Sequence, residues 1–398
     1  MKSPNVTIKR IDTQDALNVN VVSQFTTPPK ILPKTLPIPS TITNTNGMMV
    51  RHLTKDGVLY GSKYADARVH KSTDFGSTWT PIAASVAVGD IPGQIRKLDN
   101  GCLLVITRTI NAGKVFLSDA NEENFVLKYE FQTAIGDVFG ADVYGEMIFV
   151  SGYGGIINYD KCFMSKDSGN TWEIILQHPN PAISHFHDIR YDPYEGIIWA
   201  CCGDYGIKNN IFYSSDFGKT WETTYDGVTE GGVRATAIIP MPKCVLFVSD
   251  TDGELFVWRY DRNPEGTQGH VIAPYKAWYH RRSVFGSAPG SPGGKDFVGS
   301  VPAVTYGADS SAFFGWHCYT DSSDLIPANV FATRDGYSFT PIWTSKNLMQ
   351  ANYANGVEGG VMGVFGPTVA GELVAAFREG DGTNSIDYAI KMDFPGWD

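Results

Sequence analysis

Apolar residues in this chain gather in short runs separated by polar turns, and nowhere do they keep the spacing of an amphipathic helix over several turns. Phe186-His187-Asp188-Ile189-Arg190-Tyr191 leads through Asp192-Pro193-Tyr194-Glu195-Gly196 to Ile197-Ile198-Trp199-Ala200, and then to Ile211-Phe212-Tyr213. Near the end, Val361-Met362-Gly363-Val364-Phe365, Leu373-Val374-Ala375-Ala376-Phe377 and Ile386-Asp387-Tyr388-Ala389-Ile390-Lys391 repeat that order. Such runs, bounded by Gly, Pro, Asn and Asp, are strands joined by turns. The order strand, turn, strand, loop, strand recurs near 47–83, 94–130, 137–178, 184–225, 232–262, 297–344 and 359–393, which makes seven units, with six as the alternative count.

A shared motif fixes the period. Ser72-Thr73-Asp74-Phe75-Gly76-Ser77-Thr78-Trp79, Ser165-Lys166-Asp167-Ser168-Gly169-Asn170-Thr171-Trp172 and Ser214-Ser215-Asp216-Phe217-Gly218-Lys219-Thr220-Trp221 all fit Ser-x-Asp-x-Gly-x-Thr-Trp. A worn copy, Ser118-Asp119-Ala120-Asn121-Glu122-Glu123-Asn124-Phe125, lies between the first two, so the serines are 46, 47 and 49 residues apart. A second worn copy, Thr333-Arg334-Asp335-Gly336-Tyr337-Ser338-Phe339, is one residue shorter. The Asp is suited to accept backbone N–H groups in a tight turn, Ser and Thr to do so more weakly, and Gly to supply positive φ. Trp then packs the hairpin, so the boxes stabilise turns and carry no metal or catalytic role. The motif resembles the Asp-box, or bacterial neuraminidase repeat, shared by sialidases, some xyloglucanases and many propellers of other function. That resemblance implies an all-β fold, a β-propeller of four-stranded antiparallel blades in the sialidase-like superfamily.

Composition agrees with an all-β chain: 398 residues hold 42 Gly and 22 Pro, and aromatics make up 13%. The net charge of -10 leaves no basic stripe to displace counterions from a phosphate backbone, so nucleic acid is not an expected partner. Cys102, Cys162, Cys201, Cys202, Cys244 and Cys318 show neither zinc nor redox spacing, and the vicinal Cys201-Cys202 reads as two small buried side chains. No cofactor motif is present. The first residues contain no apolar signal-peptide core, and no run approaches ~18 uninterrupted apolar residues, so neither export by a signal peptide nor a membrane span is expected. A virion or cytoplasmic location follows as the expectation.

Residues 1–46 read as an extended arm and 47–398 as the propeller, with a Gly-, Pro- and Ser-rich loop insertion near 263–296. The last blade lacks an outer strand. An open edge is costly, and either Val6–Ile11 or Val19–Phe25 is expected to close it. The Pro-rich 28–37 should be extended, and the rest of the arm should run over the surface or grip another subunit of a viral or extracellular assembly.

In a propeller the boxes lie on one face, and the loops after each second strand open on the other, which is therefore the expected site. Those segments offer Asp66, His185, His187 and Asp204 as candidate catalytic groups. They offer Arg51, Tyr64, Arg108, Tyr153, Tyr205, Arg234, Tyr319 and Arg378 as candidate ligand contacts. Aromatics mixed with carboxylates and Arg suit a sugar, whose apolar face stacks on rings while its hydroxyls take polar partners. His185 and His187, two apart on a strand, share a face and could bind a metal or act as base and helper; lining the channel is the plainer reading. Sialidase chemistry, which the resemblance raises, needs an Arg triad, a Tyr paired with Glu and an acidic Asp. Arg51, Arg234 and Arg378 would form the triad, Asp66 the acid, and Tyr319 or Tyr153 beside Glu230 the nucleophile. Here Val50-Arg51-His52-Leu53 keeps only the Arg of the family's aromatic-Arg-Ile-Pro motif, which weighs against that activity.

The expected function is thus an interaction or glycan-recognition module without catalysis, most concretely a virion component (phage tail, neck or surface). The alternative is a glycoside hydrolase or polysaccharide lyase working on the face opposite the boxes.

Overall fold

The computed structural model describes residues 38–63, 66–85, 91–108, 113–131, 137–153, 161–178, 185–202, 210–225, 235–252, 254–262, 275–281, 295–299, 304–306, 311–320, 325–326, 328–345, 349–350, 359–379 and 386–393. Every regular element among them is a strand, and they form a seven-bladed β-propeller of four-stranded antiparallel blades. Blade 1 comprises Met48–Leu53, Leu59–Lys63, Arg68–Ser72 and Thr80–Ser85. Blade 2 comprises Ile91–Lys97, Leu103–Arg108, Lys114–Leu117 and Val126–Glu130. Blade 3 follows with Asp137–Tyr144, Met147–Tyr153, Lys161–Ser165 and Glu173–Gln177. Blade 4 holds Phe186–Asp192, Ile197–Cys202, Asn210–Ser214 and Glu222–Tyr225.

Blade 5 contains Ala235–Pro240, Cys244–Asp252, Glu254–Asp261 and Tyr275–Arg281. Its fourth strand lies inside the stretch expected to be a loop insertion. Tyr275-Lys276-Ala277-Trp278-Tyr279 is rich in strand-forming aromatics, and Gly- and Pro-rich neighbours hide that signal in the sequence. Blade 6 is built from Val304–Tyr306, Ser311–Thr320, Asn329–Thr333 and Thr340–Thr344. An extra strand, Lys295–Gly299, pairs with the ends of both Cys244–Asp252 and Ser311–Thr320, joining blades 5 and 6 by backbone hydrogen bonds.

Blade 7 takes Gly359–Phe365, Leu373–Glu379 and Ile386–Asp393 from the end of the chain and its outer strand, Ile38–Asn44, from the beginning. Ile42 faces Ile390 and Asn44 faces Tyr388 across that antiparallel pair. The two segments expected to do this, 6–11 and 19–25, lie outside the described residues, as does the Pro-rich 28–37. Within the closing strand, Pro39 sits beside a register shift at the outer edge, where a missing N–H is tolerated.

Burial explains why the ring holds. Seven apolar clusters lie at seven blade boundaries, and each draws residues from two neighbours. Tyr60 and Val69 of blade 1 meet Ile95 and Val105 of blade 2; Leu53 and Leu59 meet Val374 and Ala389 of blade 7. Cys201 and Cys202 are buried and unbridged, and burial pushes the Cys201 thiol well up.

The box turns do more than close their own hairpins. In the first, Ser72 Oγ donates to Asp74 Oδ1 at 2.8 Å while accepting from the Gly76 N–H at 2.9 Å. Asp74 also accepts from the Thr78 N–H at 2.9 Å and its hydroxyl at 2.7 Å. The second and third complete copies repeat this around Asp167 and Asp216. In the worn copy Asp119 still accepts from the N–H groups of Asn121 and Glu123. The Gly at φ near +87° in the first two complete boxes also fits tightly against another blade. A Cβ on Gly76 would meet Thr45 and Ala389 of the blade 7 side at 3.2 and 3.4 Å. Trp79, Trp172 and Trp221 are half-buried, not fully buried, because each ring covers the outer side of the boundary with the preceding blade. Trp221 Nε1 donates to the Ile175 carbonyl of blade 3 at 2.6 Å.

The worn copies keep that docking by other means. Glu122 of blade 2 accepts from Lys71 at 2.8 Å, from Lys97 at 2.7 Å and from the Tyr60 hydroxyl, so it ties blade 2 to blade 1. Tyr337 of blade 6 lies 3.8 Å from the Arg259 guanidinium of blade 5. Burial raises the Glu122 carboxyl, but Lys71, Lys97 and Tyr60 outweigh it and bring it down from 4.5 to about 2. The folded state therefore holds fewer protons, and the stabilisation is complete above about 4.5 and lost as pH falls toward about 2. Glu122→Gln should lower the melting temperature at pH 7 and flatten its fall between those two values; an unchanged acid slope would show that Glu122 does not couple the blades.

Candidate functional site

The loop face and the channel wall take their shape from the innermost strands. Each of them, in blades 1 to 5 and 7, carries a register shift against its neighbour, as between Val50 and His52 or Phe186 and Asp188. Such bulges turn side chains out of the strict alternation and let charged groups reach the adjoining blade.

Blade 4 shows the result. Asp188 is fully buried, takes Arg190 Nε on both oxygens at 3.1 and 3.0 Å, and accepts from the Ile238 N–H of blade 5 at 3.0 Å. Asp142 of blade 3 accepts from the Tyr191 N–H of blade 4 at 2.9 Å. Arg96 of blade 2 donates to the Arg51 carbonyl of blade 1 at 3.2 Å and to the Ala141 carbonyl of blade 3 at 3.1 Å. Gly140 has no room for a side chain, since a Cβ would stand 2.6 Å from Asp188 Cα. Together these groups lace blades 1 to 5 along their inner edges.

Their charge states follow from these contacts. Burial lowers Arg190, but Asp188 and Asp142 outweigh it and hold it above the ordinary guanidinium value, while burial pushes the Asp188 carboxyl up against the pull of Arg190. Burial and then Arg190 bring Arg96 down to about 10, against the pull of Asp142 and Asp188. His52, lowered first by burial and then by Arg96 and Lys97, falls to about 3 and stays neutral.

Several candidates fall within the described residues. Arg51 is half-buried in the first strand of blade 1, and its Nε donates to Ser62 Oγ at 3.2 Å. Asp66 receives Arg68 side on, with contacts of 3.0 and 2.8 Å, and His70 Nε2 lies 3.7 Å away. The bond from Arg68 brings the Asp66 carboxyl down to about 2, so near neutral pH it is an acceptor and not a proton donor. Arg378 makes a two-point contact with Asp387 on the neighbouring strand at 2.8 and 3.2 Å. Arg51 and Arg378 are thus each engaged inside their own blade.

His185 and His187 are brought together as their spacing implies. Their Nε2 atoms are 2.9 Å apart, both rings are buried, and His187 Nδ1 lies 2.8 Å from the Ala235 carbonyl of blade 5. A carbonyl only accepts, so His187 carries its proton on Nδ1 and its Nε2 accepts from His185 Nε2–H in the neutral pair. Among the described residues no group of three His, Cys, Asp or Glu side chains gathers as a metal site.

Tyr64, Asp204, Tyr205 and Arg234 lie outside the described residues. Arg108, Tyr153 and Tyr319 belong to described strands, but their side chains lie outside what the structure describes. Sequence reasoning passed over Arg96, Asp142, Asp188 and Arg190. The signal was a charged pair two apart inside the apolar run 186–191, a pattern that costs too much unless each charge finds a buried partner.

A cavity of about 260 Å³ opens where the innermost strands of blades 3, 4 and 5 end, next to the box turns. Asp142, Tyr144, Arg190, Tyr191 and Tyr194 are among the residues that line it.

Comparison with known proteins supports the architecture. No protein-family model matches the chain. A stretch of 114 residues, 28% of the chain, is 30% identical to part of the vacuolar protein sorting/targeting protein 10 of Mycosarcoma maydis, of which it spans 7%. Among solved structures, virginiamycin B lyase from Staphylococcus aureus superposes with a TM-score of 0.52 at 11% identity, over 88% of this chain and 98% of that one. The Cps50 (Swd1) β-propeller domain of Myceliophteria thermophila gives 0.54 at 11% identity, over 89% and 98%. A GH74 xyloglucanase from Xanthomonas campestris gives 0.54 at 11%, over 86% of this chain and 53% of its own. These likenesses establish a propeller fold. They decide nothing between enzyme and binding module, since the fold hosts both. Among the described residues no helix is long and apolar enough to cross a membrane.

The histidine geometry makes one direct prediction. Nitrogen-resolved NMR at neutral pH should find His187 in the Nδ1–H form and His185 in the Nε2–H form; both rings in the Nε2–H form would contradict the arrangement.

Proposed function

We propose that this chain is a non-catalytic recognition propeller of the sialidase-like type, presenting the face opposite the box turns to a glycan or protein surface. Residues before the closing strand would attach it to a larger assembly, a virion being the concrete case. The observation that carries this reading is the fixed charge of Asp66. A general acid must titrate near its working pH, whereas the Arg68 contact holds Asp66 down to about 2. Arg68 is half-exposed beside it, so the pair offers a donor and an acceptor to a ligand at constant charge. The pairing of Arg378 with Asp387 supports the same view, because a carboxylate-binding triad would need that guanidinium turned outward.

A vacuolar sorting protein, a lyase and a xyloglucanase are similar to this chain in part or in fold, and they leave room for either binding or catalysis. A glycan array read in parallel with an assay for new reducing ends and unsaturated uronates separates these readings. Saturable retention without product, weakened about tenfold or more by Arg68→Ala at an unchanged melting temperature, is the expected outcome. Product release that is lost in Asp66→Asn would overturn it in favour of a glycan-degrading enzyme.

A further inference from the structure

The cavity at the box-turn end of blades 3, 4 and 5 is not used by the reading above, and its lining has a definite chemistry. Tyr144 and Tyr191 stand 4.5 Å apart at a tilt of 44°. Tyr191 is braced by Phe149, nearly parallel at 6.2 Å, and by Phe217 of the box turn, also at 6.2 Å. The aromatic wall is therefore already in place without a ligand. Tyr194, on the turn after the innermost strand of blade 4, is 43% exposed at the rim.

Two polar groups stand with these rings. Arg190 is about nine-tenths buried, and its Nη2 is buried with no hydrogen-bond partner, although Nε and Nη1 are engaged by Asp188 and Asp142. Asp142 uses Oδ2 for the Tyr191 N–H, while Oδ1 has only a long 3.5 Å contact to Arg190. One donor and one acceptor are thus held side by side and incompletely used, which is an unfavourable arrangement in a protein interior unless something completes it.

Charge decides what that is. The charged residues of the lining are Arg190 and Asp142, one of each sign. An anion would face the Asp142 carboxylate and a cation the Arg190 guanidinium, so neither gains from entering. A neutral ligand can donate a hydroxyl to Asp142 beside Arg190, and its C–H face can lie on a tyrosine ring. At about 260 Å³ the space sits at the small end of ligand pockets and suits one ring. We propose that this cavity is a second binding site, on the box-turn face, for an uncharged monosaccharide unit.

Saturation-transfer NMR and calorimetry on the full chain test this with D-glucose, D-galactose, D-mannose and N-acetylglucosamine, set against N-acetylneuraminic acid and glucosamine as anionic and cationic sugars. At least one neutral sugar should bind saturably, and the charged sugars should bind about tenfold more weakly or less. Tyr194→Ala, a change at an exposed rim, should weaken binding about tenfold or more while the melting temperature holds. Should that variant fail to fold, Tyr144→Ala serves in its place, judged in the same way. Failure of every neutral sugar to saturate, equal binding of the charged sugars, or full binding by the tyrosine variant overturns the proposal. The loop-face binding probed through Arg68 is a separate measurement, so either site can fail without the other.

Discussion

The docking of each box turn onto the blade before it is the constraint on which the rest of this structure depends. A four-stranded blade buries only part of its apolar surface alone, and it becomes stable by covering its neighbour. The turn between third and fourth strands is where two blades lock. Ser and Asp organise the turn from within, Gly lets the chain pass close to the next sheet, and Trp or its substitute reaches across. Where the motif is worn, Glu122 and Tyr337 cross the same boundary with an ion pair and a cation–π contact. The boundary is therefore bridged both where the motif is complete and where it is not. The ring is then closed by Ile38–Asn44, which covers the edge of Ile386–Asp393 and becomes the outer strand of blade 7.

A second lacing runs along the inner edges. Arg96, Asp142, Asp188 and Arg190 bring ionisable side chains into the channel wall, where desolvation is expensive and repaid only by well-placed partners. The bulged inner strands supply that placement, with backbone groups of the next blade accepting from Arg96 and donating to Asp142 and Asp188. For function, the consequence is that these side chains hold neighbouring blades together along the inner edges. The incomplete partnering of Arg190 and Asp142 then stands out, because it occurs beside an open aromatic cavity.

Much of the fold was legible in the sequence because its signals are local. The Ser-x-Asp-x-Gly-x-Thr-Trp spacing and the short apolar runs set the period and the strand order and favoured seven blades over six. What was not legible depends on partners far along the chain. Nothing local in Ile38–Asn44 marks it as the outer strand of a blade made of residues after 358; only pairing with Ile386–Asp393 does so. The strand Tyr275–Arg281 was obscured by Gly- and Pro-rich flanks. At the site, His185 and His187 were expected side by side from their spacing, and they are. The low Asp66 carboxyl needed Arg68 to fold back onto it, and the cavity needed three blades to bring Tyr144, Arg190 and Pro240 together. Neither relation has a signature in the linear order.

If the boxes lock neighbouring blades, damage to one must be felt in the blade before it. Hydrogen–deuterium exchange on Trp221→Ala measures this most directly, since Trp221 of blade 4 donates to the Ile175 carbonyl in the outer strand of blade 3. Protection should fall across Glu173–Gln177 as well as across the variant's own hairpin, 210–225. Loss confined to 210–225, with blade 3 as well protected as before, would contradict it.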